Sequence, residues 1–226
     1  MQEPRIMKDF GPRPWEIAPY LKQGGYEAWK ACVTKWTGEQ IIAEIKKAGM
    51  RGRGGAGFPT GIKWEKVLNH RIPEHYFVCN AGEHEPGTFK DRHLLKNNPH
   101  QLFEGMLIAA HTVKAKSSFI YVNHEYVEEL ANLRKAADEA RAHGFMGKNV
   151  LGKGFDLDIE FVEGQGSYVA GALERCRAGG PQDQCPRDPW QWHIGRRVRP
   201  TSVPCAARPA RRVSPSAEAP RAASAR

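Results

Sequence analysis

Five of the fourteen residues from Arg51 to Trp64 (Arg-Gly-Arg-Gly-Gly-Ala-Gly-Phe-Pro-Thr-Gly-Ile-Lys-Trp) are glycine, and Lys63 falls where a helix should begin. Glycine lacks a Cβ, so such a loop reaches positive φ and brings backbone N–H groups close to a ligand. Pro59 suits the first turn of a helix, where its missing N–H is not needed. Backbone donors and a helix N-terminus then aim at one spot, which makes an anion site, and Lys63 adds a mobile positive charge. A phosphate-bearing cofactor is the natural occupant; a tight structural turn is the alternative.

As a string, Gly52-x-Gly54-x-x-Gly57 matches a dinucleotide fingerprint, but that fingerprint follows a strand. Here the preceding segment, 39–48, has Ile41, Ile42 and Ile45 on one face, with Thr37 and Gln40 spaced as a capping box, and reads as helix. No Gly-Lys-Ser/Thr triplet follows, so the loop is not a P-loop either. A second polar block, Val78 to Arg92 (Val-Cys-Asn-Ala-Gly-Glu-His-Glu-Pro-Gly-Thr-Phe-Lys-Asp-Arg), follows the β-prone run Tyr76-Phe77-Val78. Its polar residues therefore fall at the C-terminal end of a strand, where open α/β sheets place ligands. Asn80 can both donate to and accept from a heterocycle, while Glu83 and Glu85 can bind ribose hydroxyls or a nicotinamide amide. The competing reading is a polar turn that caps the strand.

With a third block, Gly164-Gln165-Gly166-Ser167-Tyr168-Val169-Ala170-Gly171, these segments resemble the flavin- and NADH-binding subunit of respiratory complex I, the NADH-quinone oxidoreductase F-subunit family. Related subunits occur in NAD-linked hydrogenases and formate dehydrogenases. The resemblance covers roughly residues 5–171 and implies FMN cradled by the first loop. Gly52, Arg53, Gly54, Gly55, Gly57 and Lys63 would surround the flavin, with Asn80, Glu83, Tyr168 and Gly171 on its other sides. Phe58 would stack near the nicotinamide and Glu85 would contact NADH. The implied chemistry is hydride transfer from NADH to FMN, then single-electron steps through iron–sulfur clusters to quinone. The cofactor performs that chemistry, so the protein residues carry binding roles and none is assigned as catalytic.

Some positions depart from the family pattern. Gly82 stands where the family usually has aspartate, His84 where it often has serine, and Lys66 near a frequent aromatic. His84 reads as a solvated loop histidine, since nothing nearby has metal-ligand spacing. After Gly171 the family continues Glu-Glu-Thr, whereas this chain continues Ala172-Leu173-Glu174.

The elements that must position these blocks follow from periodicity. Helices are expected at 39–48, 59–69, 99–113 and 125–143, the last ending at Gly144, and strands at 76–80, 117–123 and 157–162. Strands alternating with helices predict an α/β, Rossmann-like parallel sheet flanked by helices. The expected organisation is an irregular N-terminal arm over 1–36, an FMN- and NADH-binding α/β domain over 37–171, and a disordered tail over 172–226.

The tail differs in composition. It holds eleven arginines, no lysine and eight of the sixteen prolines, while residues 1–171 hold eight arginines and fifteen lysines. Of the formal charge of +9, the tail carries +7 and the body +2, so the basic balance says little about the body's ligands. Such a bias suggests out-of-frame translation; the alternatives are a disordered tail or a basic arm that binds nucleic acid or an acidic partner by charge alone. No Cys-x-x-Cys pair occurs among the five cysteines, so the cysteines of the family's 4Fe-4S cluster are absent. On this reading the chain is truncated, holds FMN weakly, and is either inactive by itself or a non-catalytic fragment. No run approaches the roughly 20 apolar residues of a membrane span. The resemblance implies a cytoplasmic subunit, peripheral on the inner face of the cell membrane through partners, chiefly a small 2Fe-2S subunit, with no nucleic acid and no direct membrane insertion.

Overall fold

The computed structural model describes residues 10–164. Three parallel strands, β1 (His75–Ala81), β2 (Ala115–Asn123) and β3 (Ile159–Gly164), form a sheet of order β1-β2-β3. Asn80 pairs with Tyr121 and Tyr121 with Val162, so the C-terminal ends of all three strands lie level. The helices are α1 (Ile17–Lys22), α2 (Glu27–Thr34), α3 (Gly38–Lys47), α4 (Thr60–Leu68), α5 (Lys90–Asn97), α6 (Pro99–Thr112) and α7 (Val127–Ala142). The central strand is buried from Ile120 to Asn123, as expected of a parallel strand covered on both faces. Ile120, Phe103, Leu107, Leu133 and Ile159 form the middle of the core.

Local signals account for most boundaries. Thr37 caps α3 reciprocally with Gln40: the Thr37 N–H donates to Gln40 Oε1 at 2.8 Å, and the Gln40 N–H to Thr37 Oγ1 at 3.4 Å. Gly144 follows the last turn of α7 at φ +69°. Pro59 lies one residue outside α4, as its N-cap. The third strand starts two residues later than the alternation predicts, because Leu157 instead pairs in an isolated antiparallel bridge with Gly147.

The expected irregular arm over 1–36 is corrected: it contains α1 and α2, and these pack on the body. Tyr26 and Trp29 are fully buried. Tyr26, the residue before α2, adopts φ +61° and gives no side-chain cap, so the first N–H groups of the helix need another acceptor. Glu104 of α6 supplies it. Its carboxylate accepts from Tyr26 N at 2.9 Å, from Trp29 N at 3.1 Å and from the Tyr20 hydroxyl. His100, one turn earlier, donates from Nε2 to Trp15 O at 2.7 Å, which leaves Nδ1 to accept from the Tyr26 hydroxyl at 3.1 Å. Burial lowers the His100 pKa, which favours the neutral ring that this pairing needs. Trp29 Nε1 donates to Phe145 O at 2.8 Å, and the Tyr26 and Phe145 rings stack at 4.1 Å. The arm is thus part of the core, fastened by buried polar groups.

Two features bear on the site. Helix α5, which its sequence pattern does not announce, begins within the last three residues of the second polar block. Helices α3 and α4 meet through Gly61, where a Cβ would lie 2.6 Å from Lys46 Cγ and 3.3 Å from Ile42 O. That close approach fixes α4, and with it Lys63 and Trp64, against the body.

Candidate cofactor site

The glycine-rich block forms a closed loop ahead of α4. Arg51 and Pro59 pair across its neck, Gly52 N donates to Phe58 O at 2.8 Å, and Thr60 N donates to Met50 O at 2.9 Å. At its tip Gly55 and Gly57 adopt φ +105° and +61°, values that a side chain would strain. A Cβ on Gly54, Gly55 or Gly57 would meet nothing within 4 Å, so the tip faces open space. The N–H groups of Gly54 to Gly57 donate no backbone hydrogen bond among the described residues. A loop of such donors beside a lysine fits a phosphate group.

Lys63 is half-buried one turn into α4, and desolvation lowers its pKa. An anion beside it would favour the charged form. Together with Gly52 and Phe58 it lines a cavity of about 390 Å³, closed by Trp64 of α4, Phe77 to Cys79 of β1, and Leu102 and Met106 of α6. Its walls are mostly apolar, suited to a planar ring system more than to a phosphate. Cys79 lines it with a thiol pushed up to about 12, chiefly by burial, and so packs as an apolar group. Lys66 lies outside the lining, with its ammonium 5.8 Å from the centroid of the Phe58 ring.

The second block sits at the C-terminal end of β1, as expected. Asn80 is exposed there, and its Oδ1 accepts from Gly82 N at 3.1 Å in a local turn. Glu83 is engaged by the protein: its side chain is 4% exposed and Oε2 accepts from Asp91 N at 3.0 Å and Arg92 N at 3.3 Å. It therefore caps α5, with Lys90 Nζ 3.4 Å from Oε1. Tyr126, before α7, donates its hydroxyl to Glu83 O at 2.7 Å and ties this block to the start of α7. Glu85 is exposed in the following turn.

The structure thus brings Gly52, Phe58 and Lys63 into one cavity wall, with Arg53, Gly54, Gly55 and Gly57 on the exposed loop above it. Asn80, Glu83 and Glu85 form a second cluster beyond the end of β1. Tyr168 and Gly171, and the whole 172–226 segment, lie outside the described residues. Tyr121 belongs to no motif of the sequence, yet its ring packs against Gly82 and Gly164 across the strand ends. The expectation of a solvated His84 is corrected in one respect: its Nε2 is buried and has no hydrogen-bond partner among the described residues. Glycine at 82, just past the end of β1, and at 164, the last residue of β3, was the available signal that a large side chain crosses there. Among the described residues no His, Cys, Asp and Glu cluster could hold a metal, and no helix is long and apolar enough to cross a membrane.

Comparison with known proteins places the chain in a family. The family described as the Nuo51 FMN-binding domain matches residues 45–176. The chain is 46% identical over 160 residues to the NADH-quinone oxidoreductase F subunit of Aquifex aeolicus, covering 71% of this chain and 37% of that protein. Against the corresponding Escherichia coli protein it is 42% identical over 160 residues, covering 70% and 36%. Against the NADP-reducing hydrogenase subunit HndC of Solidesulfovibrio fructosivorans it is 38% identical over 193 residues, covering 84% and 39%. A crystal structure of an NAD+-reducing nickel–iron hydrogenase superposes with a TM-score of 0.57 at 35% identity, over 71% of this chain and 26% of that one. The chain therefore spans well under half the length of these relatives.

Proposed function

The chain belongs to the NADH-quinone oxidoreductase F-subunit family, an oxidoreductase family with an FMN-binding domain, and from that membership we propose that residues 37–171 hold FMN and receive hydride from NADH. The observation that carries the proposal is the tip of the glycine loop, where the N–H groups of Gly54 to Gly57 donate no backbone hydrogen bond among the described residues, beside the half-buried Lys63. Gly54, Gly55 and Gly57 present donors to the FMN phosphate, and Lys63 adds charge. Phe58 gives an aromatic face for the nicotinamide, and Glu85, exposed in the turn beyond β1, contacts the dinucleotide. Asn80, Tyr168 and Gly171 complete the flavin side, and Glu83 acts chiefly by holding the start of α5. Bound FMN supplies the change from a two-electron donor to one-electron acceptors.

Within a complete subunit, electrons continue to iron–sulfur clusters and quinone, with a small 2Fe-2S subunit as the neighbour and attachment to the inner face of the cell membrane through partners. An NAD-linked hydrogenase is the second setting, favoured by the hydrogenase structure that superposes on this chain. The test is anaerobic oxidation of NADH by added FMN, with and without the chain. Chain-dependent acceleration, lost on removal of the chain, would support the proposal over the reading of a non-catalytic fragment. A rate equal to free FMN, with FMN shown to be bound, would overturn the NADH part of the proposal.

A further inference from the structure

Glu85 is carried on a tied turn. Pro86 after it disfavours helical backbone at Glu85, and the Glu85 carbonyl accepts from both Thr88 N at 3.1 Å and Thr88 Oγ1 at 2.7 Å. Gly87 closes the turn at φ +80°. A turn held this way moves as one piece, so the place of Glu85 depends on what fixes the chain on either side. On the far side the chain enters α5, whose Asp91 and Arg92 amides donate to the Glu83 carboxylate. On the near side the hinge is Glu83 itself. Its carbonyl accepts from the hydroxyl of the buried Tyr126 at 2.7 Å.

Tyr126 is braced in turn. Its ring centroid lies 5.3 Å from the Arg92 guanidinium, whose Nε donates to Glu129 Oε1 at 2.8 Å. Glu129 is only 2% exposed and stands three residues after Tyr126, on the same side of the start of α7. Glu83, the first turn of α5, Arg92, Glu129 and Tyr126 therefore close a circuit of hydrogen bonds and packing. The Tyr126 hydroxyl is the link in it that reaches the main chain of the turn. Asn80, by contrast, is fixed within β1 by its pairing with Tyr121 and does not depend on that link.

We propose that Tyr126 is a positioning residue for the nicotinamide dinucleotide: by holding the Glu83 carbonyl it sets where Glu85 meets NADH. This rests on the reading of Glu85 given above. Tyr126 acts through the main chain, so its hydroxyl matters to the dinucleotide and little to FMN, whose phosphate is assigned to the glycine loop and Lys63.

The test is Tyr126→Phe, which removes the hydroxyl and keeps the ring beside Arg92, in the full 226-residue chain saturated with FMN. Calorimetric titration gives the NAD+ and FMN affinities, and amide exchange of the FMN-free chain reports on the turn. NAD+ binding about tenfold weaker, with FMN affinity unchanged and faster exchange confined to 83–89, supports the assignment. Val127→Ala, at the exposed next residue, should match the parent. NAD+ affinity equal to the parent's overturns the proposal and leaves the reading of Glu85 intact. NAD+ and FMN affinities that fall together with the thermal midpoint also overturn it, since that is the mark of a merely structural residue. A parent chain that binds FMN but not NAD+ removes the reading of Glu85 and this proposal with it, and one that binds neither removes the FMN reading too. Should Tyr126→Phe fail to fold, a ring-fluorinated tyrosine at position 126 decides. A fluorine NMR signal that moves when NAD+ is added to the FMN-loaded chain supports the proposal, and one that stays fixed overturns it.

Discussion

Replacing Glu104 with alanine is expected to lower the unfolding free energy by about 3–5 kcal/mol, since each stranded buried donor costs about 1–3 kcal/mol and some regain water. Three donors lose their acceptor together: the N–H groups of Tyr26 and Trp29 and the Tyr20 hydroxyl. Neither phenol can adapt by ionising, because burial, with Glu104 beside them, raises the pKa of Tyr20 and Tyr26 far above the usual tyrosine value. Glu104 also sits at the N-terminus of α2, where a carboxylate meets the positive end of the helix dipole. Glu104→Gln keeps one acceptor oxygen and should fall between parent and alanine. Urea unfolding followed by tryptophan fluorescence measures the loss, with Trp29 as the local reporter. A change below about 1 kcal/mol would mean that the arm does not depend on this carboxylate.

Lys63→Ala is expected to weaken FMN binding by roughly one to two orders of magnitude. A hydrogen bond to a charged group is worth about 1.5–3 kcal/mol, and each tenfold in affinity is about 1.4 kcal/mol. The direction of the Lys63 pKa adds a pH signature. Burial lowers it in the free chain, and a bound phosphate raises it again, so binding takes up a proton at pH values between the two. Affinity should therefore be highest below the lowered Lys63 value and fall as pH rises through it, a trend that Lys63→Ala should flatten. Lys66→Ala is the control: Lys66 is exposed beside the Phe58 ring and lies outside the cavity, so its loss should change affinity little. Equal losses from the two lysines would point to general attraction by a basic surface.

Much of this architecture was legible from the chain. The strands announced themselves by β-prone and alternating runs, and α3 by its capping box, because those signals are local. The N-terminal helices were not legible, because what holds them lies far along the chain. Glu104 is 78 residues from Tyr26, and Glu139, which accepts from Ile17 N, is 122 residues from it. Helix α5 was hidden for the same reason: Lys-Asp-Arg-His-Leu-Leu-Lys-Asn has only two apolar residues, and a carboxylate from Glu83 caps its first turn. That capping also shows why a family motif read as ligand contacts can mix ligand-facing and supporting residues. The flavin loop was readable as a string of glycines, but the crossing of Tyr121 over Gly82 and Gly164 needed the sheet register.

The location of the flavin is the central claim, and amide hydrogen exchange on the 226-residue chain, with and without saturating FMN, tests it most directly. A flavin held by the glycine loop and the strand ends predicts slowed exchange in two stretches, 52–63 and 80–85, with little change in α2 and α7. Protection confined to other segments, or none at saturation, would contradict that placement.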